Sequence, residues 1–339
     1  MEIGIITFHK ANNYGAVLQC YALSAILKQK GYRVKLINLP LHEKPKKVRS
    51  ILRNMLLSAS FKSFKRNFLP VSISSDTKMD IYLFGSDQIW NLDITKSNFK
   101  LYFGSWIKND VPKIAYAASF GNSEWSDHEH TDKIKKLLSS FSNLGIRELS
   151  GVNICKEEFS IECSQVLDPT MLLNNYDGLF KKRKLQNAMV CYIFGKDQLI
   201  LNQVRKIAET KKLKSILLND MRLRKGIKSV PFPTVSNWLS YLSASDLVLT
   251  DSFHCMVFAI LFKKNFIAIP ANLKRVDRML SLLNDLGLES RFFSNITEVL
   301  NSEVLNENID YNIVFEKLGH LRIESKSFLE ESLNSIKND

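Results

Sequence analysis

The chain lacks an apolar run long enough to cross a bilayer: the longest near its centre, residues 256–262, stops at Lys263 and Lys264, far short of the roughly 18 residues a spanning helix needs. Its first residues lack the basic region of a secretory leader; Glu2 stands there instead and the chain runs directly into a strand-like 3–8. A cytoplasmic location is therefore expected, with the inner face of the membrane as a variant of it. Cysteine is sparse and unpaired in pattern. Cys20, Cys155, Cys163, Cys191 and Cys255 include no CxxC, and an odd count without an export signal predicts reduced thiols, no disulfide framework and no zinc site. No internal repeat or low-complexity stretch stands out.

Acidic residues are in deficit, 34 against 47 basic ones, for a formal charge of +13. Such a surplus suits anionic small molecules, acidic glycans, anionic membranes or nucleic acid, and does not choose among them. Nucleic acid is set aside because the most basic segment lacks the interleaved stacking aromatics of single-strand binders. What remains is a chain of 339 residues, 45% hydrophobic and 24% charged, which is the composition of a globular protein long enough for two domains.

Residues 2–8 read as a buried strand, 15–30 as a helix with apolar Val17, Leu18, Tyr21, Ala22, Ala25 and Ile26, and 32–38 as the next strand, a unit that implies a parallel sheet with a right-handed crossover. Residues 42–68 differ: eight Lys or Arg face one acid, Glu43, with Ile51, Leu52, Met55, Leu56, Phe61, Phe64 and Phe68 between them. This fits an exposed helical excursion with a solvated basic face, or peripheral docking on an anionic membrane. Further strands are expected at 80–84, 113–118, 145–148 and 165–167, with a helix over 131–141. After a connection at 174–187 a second α/β series follows: strand 188–194, helix 198–210, strand 215–218, helix 235–242, strand 247–249, a further apolar helix and strand, helix 275–286 and a final helix 313–333. The expected fold is α/β, two Rossmann-like domains facing a cleft. Residues 1–180 form the acceptor side, 188–310 the donor or anion side, and 311–339 a C-terminal helix that can pack back across both.

Strand 247–249 ends in Thr250-Asp251-Ser252-Phe253-His254, which places a histidine where a helix opens and its unpaired N–H groups favour an anion. The same turn also fits a capped core helix over a satisfied, buried His254. Asp251 would hold the imidazole protonated and the helix N-terminus would favour the neutral form. Five other polar turns occur in order: 9–19 (HKANNYGAVLQ), 85–91 (GSDQIWN), 115–121 (AYAASFG), 147–150 (RELS) and 167–170 (LDPT).

Together these six turns resemble the polysaccharide pyruvyl transferase family, from the first strand to about Gly287. The resemblance implies a glycosyltransferase-B-like fold and transfer of pyruvate from phosphoenolpyruvate to a sugar of a cell-surface polysaccharide, capsule or exopolysaccharide, or of its precursor. A cyclic ketal forms across two hydroxyls and phosphate leaves. Phosphoenolpyruvate is the donor substrate, no cofactor or metal is expected, and the acceptor is a glycan or lipid-linked oligosaccharide. A carboxylate and a phosphate close together call for fixed cations, which arginine serves bidentately. Arg147 matches the family's RExxS-like turn and is the first candidate; Arg275 and Arg278 are further donors, or merely a solvated helix face. Protonation of the enol and activation of a hydroxyl need an acid and a base. His254 is assigned as acid or phosphate ligand, Asp87 as base or acceptor-hydroxyl binder, and Ser252 joins the donor-binding residues. Asn12, Asn13, Tyr14, Gln88 and Asn91 are acceptor-binding candidates. Trp90 fits either a sugar-stacking face or the core.

Two positions depart from the family pattern: Ser252 stands where many members carry a basic residue, and Cys255 where glycine is frequent. The missing cation must come from Arg275, Arg278 or Lys10. Cys255 is no nucleophile partner for His254, since adjacent helical side chains diverge by about 100°. Two alternatives stand beside this reading: a nucleotide-sugar-dependent glycosyltransferase on the same architecture, and a catalytically silent member that binds glycans or assists assembly.

Overall fold

The computed structural model describes residues 1–40, 49–108, 110–271 and 276–338. In chain order the main elements are β1 (Glu2–Ile6), α1 (Tyr14–Gln29), β2 (Arg33–Asn38), α2 (Arg49–Phe68), β3 (Ser72–Ser74), β4 (Ile81–Phe84), α3 (Leu92–Thr95), α4 (Phe99–Tyr102), β5 (Lys113–Ala118), α5 (Thr131–Leu138), β6 (Asn143–Ile146), α6 (Leu149–Glu157) and β7 (Ser164–Gln165). They continue as β8 (Ala188–Tyr192), α7 (Gln198–Thr210), β9 (Lys214–Leu218), β10 (Ile227–Val230), α8 (Val235–Ser243), β11 (Leu247–Thr250), α9 (Phe253–Leu261), β12 (Asn265–Ala268), α10 (Asp277–Leu286) and α11 (Tyr311–Asn338).

The chain forms two compact units, one of Met1–Lys46, Phe68–Leu173 and Leu318–Asp339, the other of Lys47–Asn67 and Asn174–Lys317. The first holds a seven-stranded sheet ordered β3-β2-β1-β4-β5-β6-β7, the second a five-stranded sheet ordered β10-β9-β8-β11-β12. Every pairing in both sheets is parallel. Central strands buried on both faces read as continuous apolar runs; β4, β8 and β11 are buried at every position. The two strands that the sequence did not announce, β3 and β10, lie at sheet edges and expose half or more of their residues at least partly, so they carry no such run.

Strand order reverses between β1 and β4 in the first sheet and between β8 and β11 in the second. Crevices beyond the carboxyl ends of strands at such reversals are where open parallel sheets bind ligands. Four turns are singled out this way: 7–13 after β1, 85–91 after β4, 193–197 after β8 and 251–254 after β11. In the first unit the C-terminal part of α11 is integral. Ser325 Oγ accepts from Leu167 N–H at 2.9 Å, Arg322 donates to the carbonyls of Met171 and Leu173, and Phe328 packs 2.7 Å from where a Cβ on Gly145 would lie. Among the described residues no helix is long and apolar enough to cross a membrane.

Candidate functional site

In the first unit the turns after β1 and β4 are stitched together by buried polar side chains. Thr7 Oγ1 donates to the Ser86 carbonyl at 2.8 Å, Gln19 Nε2 donates to Thr7 Oγ1 at 2.8 Å, and Ser86 N–H donates to Gln19 Oε1 at 3.2 Å. Gly85 permits this approach. Its φ is +126°, and a Cβ there would lie 2.0 Å from the Tyr116 carbonyl oxygen. The next residues carry Asp87, with φ +82°, a backbone region uncommon outside glycine.

Asp168 is the hub beneath this turn. Its Oδ2 accepts from Ser86 Oγ at 2.9 Å and from Arg147 Nη1 at 3.1 Å, while Oδ1 accepts from the Thr170 amide and hydroxyl at 3.0 and 2.6 Å. Arg147, at the end of β6, has a side chain only 2% exposed; Glu148 lies 3.6 Å and Asp87 3.9 Å from its guanidinium. Burial by itself would loosen the Arg147 proton, but Glu148, Asp168 and Asp87 outweigh it and hold the cation firmly. Three carboxylates thus surround the guanidinium that the sequence offers as the first anion-ligand candidate. Asp87 is the most exposed of the three acids, with a side chain 16% exposed.

Gln88 and Asn91 lie in the same turn. Asn91 Oδ1 accepts from Asp93 N–H at 3.0 Å, capping α3, which turns its amide NH2 the other way. That NH2 and Gln88 Nε2 each lie 2.6 Å from where a Cβ on Gly121 would be, and both are buried without a protein partner. Gly121, with φ +76°, thus leaves a small recess facing two buried donors. Trp90 is placed differently from a sugar-stacking residue: it is 0% exposed, stacks on Phe103 at 5.3 Å, and donates to the Tyr102 carbonyl. No ring face remains for a sugar. Asn13 serves as N-cap of α1, accepting from Ala16 N–H, Tyr14 is 2% exposed, and Asn12 is half-buried.

In the second unit the turn after β11 is tied to the turn after β8. Asp251 Oδ2 accepts from Phe194 and Gly195 N–H at 2.7 and 3.2 Å. It is thereby committed to the neighbouring backbone. Burial lifts the Asp251 pKa from 3.8 to about 6, against the lowering effect of those N–H groups and of Lys196. His254 opens α9, is 7% exposed, and packs edge-on against Phe253; Arg278 lies over the Phe253 ring at 5.6 Å. Ser252 is the N-cap residue of α9 and makes no side-chain cap bond. Arg275 lies outside the described residues.

The loop that Asp251 holds carries Lys196, a residue the sequence reading passed over. Its ammonium donates to the Asn219 carbonyl at 2.6 Å. Burial pulls its pKa down, Arg224 and Arg53 pull the same way, and Asp220 and Asp251 oppose them. Arg224 is paired with Asp220 at 2.9 Å, and Arg53 of α2 sits over Phe232 at 5.5 Å. Lys196 thus lies beside the Asp251 turn, within electrostatic reach of Arg224 and Arg53 and of the acids Asp220 and Asp251. The available signal was Gly195-Lys196-Asp197 directly after a strand; Arg53 and Arg224 have no local signature. Among the described residues no group of three or more His, Cys, Asp or Glu could hold a metal ion.

Two parallel Rossmann-like sheets, each with polar turns at its strand-order reversal, define the glycosyltransferase-B class of fold, and solved structures of that class agree. A glycotransferase of kitacinnamycin superposes with a TM-score of 0.54 at 10% identity, covering 96% of this chain and 95% of that one. Arabidopsis thaliana UGT89C1 gives 0.54 at 12%, covering 99% of each chain, and a putative UDP-N-acetylglucosamine 2-epimerase from Listeria monocytogenes gives 0.56 at 10%, covering 97% of each. No curated protein matches the sequence. Residues 13–272 match the family described as polysaccharide pyruvyl transferase. The chain belongs to that family, and so is a transferase.

Proposed function

We propose that the protein moves the pyruvyl group of phosphoenolpyruvate onto two hydroxyls of a sugar in a cell-surface polysaccharide or its precursor, forming a cyclic ketal and releasing phosphate. The observation that carries this reading is Lys196 at the β8/β11 reversal. A cation is absent at Ser252, and Lys196 on the adjoining turn, with Arg224 and Arg53 near it, supplies positive charge for a ligand bearing both carboxylate and phosphate. Because Lys196 is partly desolvated, its charge acts through a medium less screening than water.

In this mechanism a general acid delivers a proton to the methylene carbon of the enol. Positive charge develops at the adjacent carbon, a sugar hydroxyl adds there, phosphate departs, and the second hydroxyl closes the ketal. His254 is the acid or the phosphate ligand, and Arg278, held on the Phe253 ring, is a second donor to the anion. On the first unit Asp87 accepts the hydroxyl proton, Arg147 positions Asp87, and Gln88, Asn91 and Asn12 bind the glycan. Tyr14 and Asn13 support α1.

The test is phosphate release from phosphoenolpyruvate with glycan acceptors, read beside the acceptor's gain of one pyruvate less one water. Lys196→Ala is expected to weaken phosphoenolpyruvate use by at least about tenfold, and His254→Ala to abolish turnover, each with the unfolding midpoint preserved. Wild-type kinetics in Lys196→Ala, or thermal stabilisation by a nucleotide-sugar and none by phosphoenolpyruvate, would sink the reading.

A further inference from the structure

A cavity lies at the end of the five-stranded sheet opposite the Lys196–His254 turns. It has a volume of about 780 Å³ and is lined at the amino ends of β8 and β9 by Ala188, Lys214, Ser215 and Ile216, with residues of α7, β10 and the 184–186 segment completing it. Strands of five residues, as β8 and β9 are, put roughly 16 Å between this end and the carboxyl-end turns. The cavity is therefore separate from the Lys196–His254 region, and the proposed reaction makes no use of it.

Its lining is of two kinds. Leu185, Ala188, Ala208, Leu213 and Ile216 are apolar, and Lys184, Arg205, Lys214 and Lys228 are cationic; Glu209 is the one acid among the lining residues. Arg205 is held in place by bonds to the Lys225 carbonyl and Asn202 Oδ1, both 2.8 Å, so one of the charges is fixed.

We infer that this cavity binds a phosphorylated amphiphile, with the phosphate against Lys184, Arg205, Lys214 and Lys228 and its apolar stem along Leu185, Leu213 and Ile216. The volume falls in the range of small-molecule pockets. No aromatic ring lines it, which disfavours a nucleobase and favours an aliphatic stem. The same chemistry is offered by a membrane lipid headgroup and by a free alkyl phosphate.

Calorimetry on the full chain with octyl phosphate, octanol and inorganic phosphate separates the parts of the site. Octyl phosphate is expected to bind at least roughly tenfold more tightly than either of the others. The double variant Lys214→Glu/Lys228→Glu is expected to lose that binding, while its unfolding midpoint stays near wild type. Equal binding of inorganic phosphate overturns the apolar stem, equal binding of octanol overturns the anion, and undiminished binding in the double variant places the site elsewhere. Sedimentation with phosphatidylcholine vesicles, with and without phosphatidic acid, then identifies the source. Capture that requires phosphatidic acid and is lost in the double variant supports a lipid headgroup; octyl phosphate binding without vesicle capture supports a soluble ligand.

Discussion

Replacing Asp251 by asparagine tests the link between the two turns of the second unit. The amide oxygen of asparagine keeps an acceptor for Phe194 and Gly195 N–H, which now bond Asp251 Oδ2 at 2.7 and 3.2 Å, and removes the charge. Burial raises the Asp251 pKa from 3.8 to about 6 in the folded protein, so folding favours the protonated carboxyl. The sign follows: the stabilisation is fully present below about pH 4, declines as pH rises between the two values, and is gone above about pH 6. A gap of about two between the pKa values corresponds to about 3 kcal/mol. Asp251→Asn should therefore match wild type at pH 4, apart from a constant offset, and gain on it by up to about 3 kcal/mol at pH 7. Urea unfolding of both proteins at the two pH values measures this. A difference that does not change between pH 4 and pH 7 would refute the idea that desolvation dominates at this carboxyl, and would leave the N–H bonds as the stronger influence.

Arg147→Met removes the cation from among Asp87, Glu148 and Asp168; a loss of about 3–5 kcal/mol in unfolding free energy is expected, and near-native stability with lost phosphoenolpyruvate affinity would make Arg147 a donor ligand. Gly121→Ala adds a Cβ 2.6 Å from the Gln88 and Asn91 amides at φ +76°, so it should cost about 1–3 kcal/mol and raise the KM for glycan. Unaltered glycan kinetics in a folded variant would take those amides out of the acceptor site. Trp90→Phe should lower stability by about 1–3 kcal/mol and leave the glycan KM alone, the reverse pattern placing the indole at the acceptor.

Both sheets were largely legible in the sequence because central parallel strands are apolar throughout, as at β4 and β11. Short, half-exposed edge strands such as β3 and β10 gave no comparable signal. The polar turns were legible as well, since glycine and capping residues follow strands by necessity. What the side chains in them face was not. Arg147 could be read as a cation after a strand, but its neighbours Asp87 and Asp168 come from segments 60 and 21 positions away, and only tertiary structure reveals them beside it. Trp90 gave the same sequence signal for core and for sugar stacking, and Phe103, Phe120 and Phe141 around it decided for the core. The cluster of Lys196, Arg224 and Arg53 spans α2, β8 and β9 connections and has no linear pattern at all.

The contribution of α11 to the first unit bears on how the chain is made. The Leu167 amide waits for Ser325, 158 residues later, which at ribosomal rates of about 5–20 residues per second is a delay of about 8–30 s. During that interval the seven-stranded sheet exists without the helix segment that covers Gly145 and takes up the carbonyls of Met171 and Leu173. The five-stranded unit, nearly complete by then, is synthesised inside this gap. The nascent N-terminal half is thus an unfinished surface for longer than a fold drawn in two halves suggests, and nascent-chain proteolysis would find it most vulnerable just before the last helix emerges.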